Sequence, residues 1–191
     1  MDSSYLTNPV IFIIQTIFGL YVLAIMLRFM LQWLRADFYN PLAQALVKIT
    51  NPTLKPMRRV IPGFGGIDFP AIVLMLILQM LTLFIIVTLS GQNAGIGQLF
   101  FQSIAELLSL FLNVFLFAIL IQIIVSWINP GSHNPIMSLI QTITEPVMGP
   151  ARRVIPAIGG LDLSPLVVIL VIQLLKMLII LPIEHLARVV G

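Results

Sequence analysis

Apolar residues in this chain are gathered into four long runs, and polar residues are concentrated in the short segments between them. The runs lie at about residues 10–33, 70–90, 100–128 and 164–182. A helix needs about 20 such residues to cross the roughly 30 Å of hydrocarbon in a bilayer, and each run comes near or above that length. Because a helix satisfies its own backbone hydrogen bonds in lipid, the pattern predicts an all-α membrane protein with four transmembrane helices.

The segment between the first two runs is repeated between the last two. A proline, an arginine pair, a glycine pair and an aspartate stand at Pro56, Arg58-Arg59, Gly65-Gly66 and Asp68, and again at Pro150, Arg152-Arg153, Gly159-Gly160 and Asp162. One offset relates the two copies, since 150 − 56 = 94 and 162 − 68 = 94. We therefore predict two repeats, at residues 5–90 and 99–184, each with two spans and both in the same orientation.

Each repeated segment also has the spacing of a short amphipathic helix. Apolar residues recur at i, i+3, i+4 and i+7, namely Leu42, Ala45, Leu46 and Ile49 in the first copy and Ile136, Leu139, Ile140 and Ile143 in the second. Asn40-Pro41 and Asn134-Pro135 are typical of an N-cap followed by proline in the first turn. Pro52 and Pro146 are expected to end these helices, which are predicted to lie at the membrane interface.

Composition and charge agree with a membrane protein and predict its orientation. Charged residues make up 9% of the chain, against about a quarter in soluble domains. Basic residues concentrate in the repeated segments, whereas the connector at residues 90–98 has no charge. By the positive-inside rule the repeated segments face the cytoplasm and both termini lie outside. The same rule explains a sequence isoelectric point near 9.7, so direct nucleic-acid binding is not expected.

The doubled motif resembles the signature of the YggT family. The resemblance is carried by residues 56–68 and 150–162, and it extends over nearly the whole chain. It implies a small multi-pass protein of the bacterial inner membrane, from a family whose members usually have one or two such repeats. It also implies a link to osmotic-stress tolerance and to envelope or cell-division homeostasis, and it supplies no catalytic residue.

The basic residues of the repeated segments are candidates for two roles. They are Lys48, Lys55, Arg58 and Arg59 in the first copy and Arg152 and Arg153 in the second. Paired arginines beside a span commonly fix topology by reaching lipid phosphate. Alternatively, their guanidinium groups bind an anionic headgroup or a partner's carboxylate with two hydrogen bonds. The first copy has two additional lysines, so we expect it to bind more tightly.

The aspartates that precede the second span of each repeat are predicted to be helix caps. Asp68 and Asp162 stand where a carboxylate would favour the start of the next helix. An ion pair with a nearby arginine is the alternative. The two glycine pairs are predicted to turn the chain just before these caps.

Five polar residues that fall inside the predicted spans are candidates for a second site: Gln79, Glu106, Asn113, Gln173 and Lys176. Glu106 and Lys176 have opposite charge and similar predicted depth, which favours an ion pair between spans three and four. A proton or ion pathway and independent snorkelling of each side chain are the alternatives. Gln79 and Gln173 are equivalent in the repeat and are expected to hydrogen-bond to each other, with Asn113 and Gln15 as further partners.

The sequence offers no recognisable catalytic or metal-binding set. It has no cysteine, and its two histidines, His133 and His185, are predicted to lie on opposite sides of the membrane. No GxSxG or HExxH motif occurs. We therefore expect neither an enzyme nor a bound metal or other cofactor.

Two functions remain as hypotheses. The first is a non-catalytic scaffold or assembly factor that binds anionic lipid headgroups and either another membrane protein or a second copy of itself. The second is a small oligomeric channel or transporter for ions or solutes, lined by the polar residues of the spans. The first is preferred, because four spans with few polar residues leave little room for a lumen.

Overall fold

The computed structural model describes residues 4–129, 134–155 and 162–191, and these parts are helical apart from turns and short connectors. Six helices follow one another: α1 (Ser4–Trp33), α2 (Pro41–Val60), α3 (Phe69–Leu89), α4 (Ile96–Ile128), α5 (Pro135–Val154) and α6 (Ser164–Val190). α1, α3, α4 and α6 are long and apolar enough to cross a membrane. The all-α fold with four candidate membrane spans is therefore confirmed, and α2 and α5 are the helices of the repeated segments.

α1 and α4 are equivalent helices of the two repeats, and both contribute buried side chains to one apolar core. Met30 of α1 and Ile119 of α4 are fully buried. Between these helices, the ring of Trp33 lies 6.1 Å from that of Phe111. Phe111 in turn meets Phe115 edge-on at 5.1 Å. Because α3 packs on α1 and α6 packs on α4 around this shared core, the two repeats form a single bundle.

Both helices of the repeated segments start at an asparagine N-cap followed by proline, as the sequence predicts. Asn40 Oδ1 accepts a hydrogen bond from the backbone N–H of Leu42 at 3.0 Å. Asn134 Oδ1 accepts one from the backbone N–H of Met137 at 2.9 Å. Asn40 Nδ2 also donates to the carbonyl oxygen of Pro135 at 2.6 Å. One side chain therefore caps α2 and ties it to the first turn of α5.

The expectation that Pro52 and Pro146 end these helices is wrong. α2 continues to Val60 and α5 to Val154, each with two prolines inside it. A proline removes one backbone donor, but all four prolines lie on exposed sides of their helices, where water or headgroups satisfy the freed carbonyl groups. The opposite side of α2 is held by packing, since Leu54 is fully buried. Tertiary contacts thus override the local preference against helix.

The fourth span is longer than predicted. α6 passes through Pro182 and reaches Val190 instead of ending near residue 182. Its last turn packs closely against the start of α4, where a Cβ atom on Gly97 would lie 2.4 Å from Cγ1 of Val190. The absence of a side chain at Gly97 therefore allows α6 to extend along α4.

Gly65 and Gly66 turn the chain between α2 and α3. Both have positive φ, at 62° and 82°. The backbone N–H groups of Phe64 and Ile67 each donate to the other residue's carbonyl oxygen, with distances of 3.3 and 3.1 Å. Two adjacent positive-φ positions inside such a pair require glycine in practice, so the predicted turn is confirmed here. The equivalent pair, Gly159-Gly160, lies outside the described residues.

Replacing Asn40 with alanine is expected to destabilise the protein more than replacing Asn134. Each change removes an N-cap, which costs about 1 kcal/mol. Only Asn40→Ala also removes the bond to the other repeat, which contributes about another 1 kcal/mol because Asn40 is buried. Thermal unfolding of the two variants in detergent measures the difference. Equal losses would show that the bond between the repeats does not stabilise the bundle.

Candidate functional site

Six of the ten lysines and arginines lie at one end of the bundle, which we call the motif end and define as α2, α5 and the loop 61–68. The first arginine of the first pair is held internally. Arg58 Nη2 donates to Asp68 Oδ2, and its Nε lies 3.4 Å from Asp68 Oδ1. The same Nη2 donates to Gln32 Oε1 at 3.2 Å. Since the side chain of Asp68 is only 4% exposed, Arg58 neutralises a carboxylate buried between α1, α2 and α3.

The second copy has the same pair in a more exposed setting. Arg152 Nε donates to Asp162 Oδ2 at 3.1 Å, and Arg152 Nη1 lies 3.6 Å from Glu145 Oε2. The side chain of Asp162 is 44% exposed. In both copies, then, the first arginine pairs with the aspartate ten residues later, which was the alternative interpretation of these aspartates.

Neither aspartate makes the predicted N-cap hydrogen bond, and Asp162 lies one residue before Leu163, which occupies the N-cap position of α6. Asp68 occupies the N-cap position of α3, but its side chain makes no cap hydrogen bond because Arg58 engages it. Asp162 Oδ1 does accept a bond from the backbone N–H of Ser164 at 2.9 Å. Burial acts to raise the pKa of Asp162, but the bonds from Ser164 and Arg152 outweigh it, so the pKa lies below its ordinary value. At pH values above its ordinary pKa, the ionised side chain of Asp162 therefore stabilises the folded protein. This stabilisation is lost as the pH falls through the lowered pKa.

The second arginine of each pair is left available. Arg59 and Arg153 are exposed and form no ion pair with any described residue. Lys48 and Lys55 are likewise exposed on α2 and unpaired within the described parts of the chain. The six predicted binding residues thus divide into two that hold the fold together and four that present positive charge.

Arg28 is a structural residue that the sequence analysis did not single out. It lies in α1 and is only 5% exposed. Its Nη1 donates to Thr50 Oγ1 at 2.6 Å, and so it fixes α2 against α1. Its position three residues after buried Ile25, on the core-facing side of α1, is the signal that could have revealed this role. The offset of 94 carries Arg28 to Gln122 (28 + 94 = 122), so only the first copy has this contact.

The predicted ion pair between Glu106 and Lys176 is wrong, although both side chains do have partners. Gln79 Nε2 donates to Glu106 Oε2, and Gln102 Nε2 donates to Glu106 Oε1 at 3.2 Å. Lys176 Nζ instead donates to Asn113 Oδ1 at 2.8 Å. Glu106 therefore connects α4 to α3, whereas Lys176 connects α6 to α4.

The longer α6 explains why the two charges miss each other. Lys176 lies 190 − 176 = 14 residues from the end of α6, whereas Glu106 lies 106 − 96 = 10 residues from the start of α4. At 1.5 Å per residue the two Cα atoms differ in depth by about 6 Å. Side chains also lean towards the N-terminus of their own helix, which moves the amine of Lys176 further towards the motif end. It therefore reaches Asn113, two turns beyond Glu106 on α4.

The two equivalent glutamines are also used differently from the prediction. Gln79 binds Glu106, whereas Gln173 is exposed on the outside of α6, so they do not hydrogen-bond to each other. Gln15 lies with Gln79 and Glu106 around a cavity of about 230 Å³ between α1, α3 and α4. The predicted intramembrane set is thus separated into a carboxylate pocket, a lysine–asparagine contact and an outward-facing glutamine.

The histidines give no support for a metal site. His185 is exposed near the end of α6, and His133 lies outside the described residues. Within the described parts of the chain, no three histidine, aspartate or glutamate side chains come together in a way that could hold a metal ion.

Comparison with known proteins identifies the family of this two-copy bundle. The sequence profile of the CCB3/YggT family matches residues 7–89 and again residues 101–183. The chain belongs to the CCB3/YggT family. It is 47% identical to an uncharacterised protein of Pseudomonas aeruginosa over 97% of this chain and 94% of that one. It is 32% identical to the uncharacterised protein YggT of Escherichia coli K12, over 89% and 88% of the two chains.

A third relative aligns over a similar share of the chain, whereas the comparison with solved structures found no match. An uncharacterised protein of Vibrio alginolyticus is 38% identical over 87% of this chain and 90% of its own. No solved structure is significantly similar to the chain. The chain is therefore similar to these relatives along nearly their whole length.

Arg58→Gln is expected to destabilise this YggT-family bundle more than Arg152→Gln. Loss of Arg58 removes the direct ion pair of the buried Asp68 carboxylate and leaves it only the charge of nearby Arg28, at a cost on the order of 2 kcal/mol given that Arg58 is itself partly exposed. Loss of Arg152 breaks an exposed pair and should cost less than about 1 kcal/mol. Thermal unfolding in detergent measures both, with Arg59→Gln as the matched control that should unfold like the parent protein. Equal losses for all three variants would contradict the assignment.

Substitutions at Glu106 and Lys176 are expected to be independent, because these residues bind different partners. The combined loss in Glu106→Gln/Lys176→Met should equal the sum of the single losses to within about 0.5 kcal/mol. Lys176→Met and Asn113→Leu, in contrast, should not be additive, since each removes the same bond. A double-mutant cycle on thermal unfolding tests both statements. Strong coupling between Glu106 and Lys176 would contradict this independence and support an ion pair between them.

Proposed function

We propose that this protein is a non-catalytic scaffold or assembly factor of the bacterial inner membrane, and that its motif end binds anionic lipid headgroups on the cytoplasmic side. The observation that carries the proposal is the division of each arginine pair. Arg58 and Arg152 are paired with aspartates, whereas Arg59 and Arg153 are exposed and carry no counter-charge among the described residues. A guanidinium that only stabilised the fold would be expected to have such a partner.

α2 adds the apolar surface that an interfacial helix needs. Its buried side faces α1 and α3 through Ala43, Thr50 and Leu54. Leu42 and Ile49 are exposed instead, the latter by 55%, so part of the predicted apolar stripe lies outside the bundle. Three cations lie beside this stripe on the circumference of the helix: Lys48, Lys55 and Arg59. An apolar stripe flanked by cations supports a position in the headgroup region of a negatively charged membrane.

Exposed aromatic side chains support the same position. Tyr39 is 90% exposed just before α2, and Phe64 is exposed at the tip of the turn that follows it. Trp33 and Trp127 end the two equivalent spans and are also exposed. Tyrosine and tryptophan are enriched where a bilayer meets water, because their rings are apolar on one side and polar on the other.

The two copies are proposed to contribute unequally. α5 buries Leu139, Ile140 and Ile143 inside the bundle, so its apolar stripe is largely covered by protein. Arg153 is the exposed and unpaired cation of this copy, while α2 has three. At about 1 kcal/mol per cation near an anionic surface, the first copy should bind lipid more strongly. A second membrane protein, or a second copy of the chain, would then assemble on a protein held at this surface.

The alternative, an ion or solute pathway, has weaker support. The polar residues that would line it do not all come together. Gln79 and Glu106 meet at one cavity, but Gln173 faces outward and Lys176 is bound to Asn113. We also propose that the protein acts in osmotic-stress tolerance and in envelope or cell-division homeostasis, with scaffolding as the mechanism. No step of this proposal requires a catalytic residue, a cofactor or direct binding of nucleic acid.

Lipid binding provides the direct test. Delipidated protein in detergent is titrated with phosphatidylglycerol or with phosphatidylcholine, and the shift in thermal midpoint is measured. Phosphatidylglycerol should stabilise the parent protein more than phosphatidylcholine does, and Arg59→Gln should weaken that effect more than Arg153→Gln. Arg188→Gln, which removes an exposed arginine from the other end of the bundle, is the matched control and should behave like the parent.

Cells stressed by an osmotic upshift test whether this surface matters for function. Arg59→Gln/Arg153→Gln should complement a deletion strain poorly at normal abundance. Cysteines introduced singly at Lys55 and Asn93 check the orientation, because an impermeant reagent should label only the second from outside. If the double variant complements fully and binds phosphatidylglycerol like the parent, the arginines act as topology anchors and the scaffold proposal fails.

A further inference from the structure

The cavity beside Glu106 has features of a binding site that are independent of the proposed lipid surface. It has a volume of about 230 Å³ and is lined by Gln15, Gly19, Gln79, Thr82, Leu83, Ile86 and Glu106. These residues belong to the halves of α1, α3 and α4 that lie away from the motif end. The polar members supply one carboxylate, two carboxamides and one hydroxyl group.

The depth of this cavity makes the carboxylate unusual. Gln79, which donates to Glu106, is the central residue of α3, with ten residues on either side (79 − 69 = 10 and 89 − 79 = 10). Glu106 itself lies about 15 Å along α4 from its first residue. A carboxylate at such a depth is costly, and residues of this kind usually serve a function in membrane proteins.

No cation among the described residues forms an ion pair with Glu106. α3 has no charged residue, and Glu106 is the only one on α4. Arg28 on α1 is engaged by Thr50, and Lys176 on α6 is bound to Asn113. Tyr21 on α1 is bonded to Thr53. Glu184, His185 and Arg188 lie towards the end of α6, and none of them forms an ion pair with Glu106 among the described residues. The described structure therefore gives the carboxylate hydrogen-bond donors but no counter-charge.

The existing hydrogen bonds leave the carboxylate suited to a cation. Both of its oxygens accept bonds from amide groups, from Gln79 and Gln102, which is the arrangement expected for the ionised form. The carbonyl oxygens of these amides and the hydroxyl oxygen of Thr82 are hard ligands, the type that alkali and alkaline-earth cations prefer. A single carboxylate balances one positive charge, and divalent ions are generally bound with more carboxylates than this.

We propose that the Glu106 cavity binds one alkali-metal cation, held by the carboxylate and the oxygen atoms around it. The cavity is larger than a bare ion, so the cation keeps several water molecules. Gln79 and Gln102 position the carboxylate, while Gln15, Gln79 and Thr82 contribute oxygen atoms towards the ion. This site is separate from the motif end, so cation binding can be tested independently of lipid binding.

Thermal unfolding in salts of equal ionic strength tests the proposal. The purified protein is titrated with NaCl, KCl or choline chloride, and choline serves as the cation that does not fit an oxygen-lined site. At least one alkali cation should raise the thermal midpoint of the parent protein in a saturable manner, and the comparison of sodium with potassium identifies which.

Two variants and a matched control make the result specific to this cavity. Glu106→Gln should weaken the salt effect at least tenfold. Gly19→Leu should do the same by occupying space at the cavity, because Gly19 lines it and a Cβ atom there meets no heavy atom within 4 Å. Glu184→Gln removes the other carboxylate of the spanning helices, near the end of α6, and should respond to salt like the parent.

Carbodiimide labelling of the parent protein decides the matter even if Glu106→Gln does not fold. Dicyclohexylcarbodiimide reacts with carboxyl groups in apolar surroundings, and mass spectrometry locates the product. Alkali cations should suppress labelling of Glu106 at least tenfold relative to choline, whereas any labelling of exposed Glu145 should not change. Labelling that depends on pH but not on the cation would overturn the proposal, as would equal thermal midpoints in all three salts.

Discussion

A polar side chain on a membrane-embedded helix is costly unless another group satisfies it, and this constraint determines many of the helix contacts in the bundle. Arg28 meets Thr50 and thereby fixes α2 on α1. Glu106 meets Gln79 and joins α4 to α3, and Lys176 meets Asn113 and joins α6 to α4. Apolar packing between these helices is not driven by exclusion of water, because lipid is as apolar as the helices themselves. The polar contacts therefore give the bundle a specificity that its leucine and isoleucine surfaces do not supply.

The two repeats share the same order of helices and the same arginine–aspartate pair, but the other polar contacts differ between them. The pairing of the first arginine with the aspartate ten residues later occurs in both copies, but Asp68 is buried and Asp162 is exposed. Arg28 is replaced by Gln122, whose side-chain oxygen is buried and has no hydrogen-bond partner within the described structure. The first copy is consequently fastened to its own spans by charged groups. The second is fastened by apolar packing of α5, which leaves α2 as the helix with exposed cations and an exposed apolar stripe.

The sequence predicted the elements well because their signals are local. Four long apolar runs, two asparagine–proline starts and the Gly65-Gly66 turn each depend on a few adjacent residues, and all were confirmed where the structure describes them. The partners of the polar residues were not predicted, because they depend on where a distant helix ends. Extension of α6 to Val190 altered the depth of Lys176 and moved it from Glu106 to Asn113. The prediction that Pro52 and Pro146 end α2 and α5 was wrong for a related reason. Packing on the opposite face of each helix maintains it beyond the proline, and that packing cannot be predicted from the neighbouring residues alone.

Contacts between the repeats have a consequence for chains of this family that carry a single copy. Two hydrogen-bonded contacts cross between the repeats in the described residues: Asn40 reaches Pro135 and Ser138 at the motif end, and Gln79 reaches Glu106 in the spans. α4 also packs on α3 and, less extensively, on α1, so the apolar core is shared between the two copies. A single repeat would leave that face of α1 and the amide of Gln79 without partners, and two spans alone bury little surface. We therefore expect one-copy relatives to pair with another chain through the surface that α1 and α3 present to α4 here, which places the cavity beside Glu106 at a junction that such an assembly would have to rebuild.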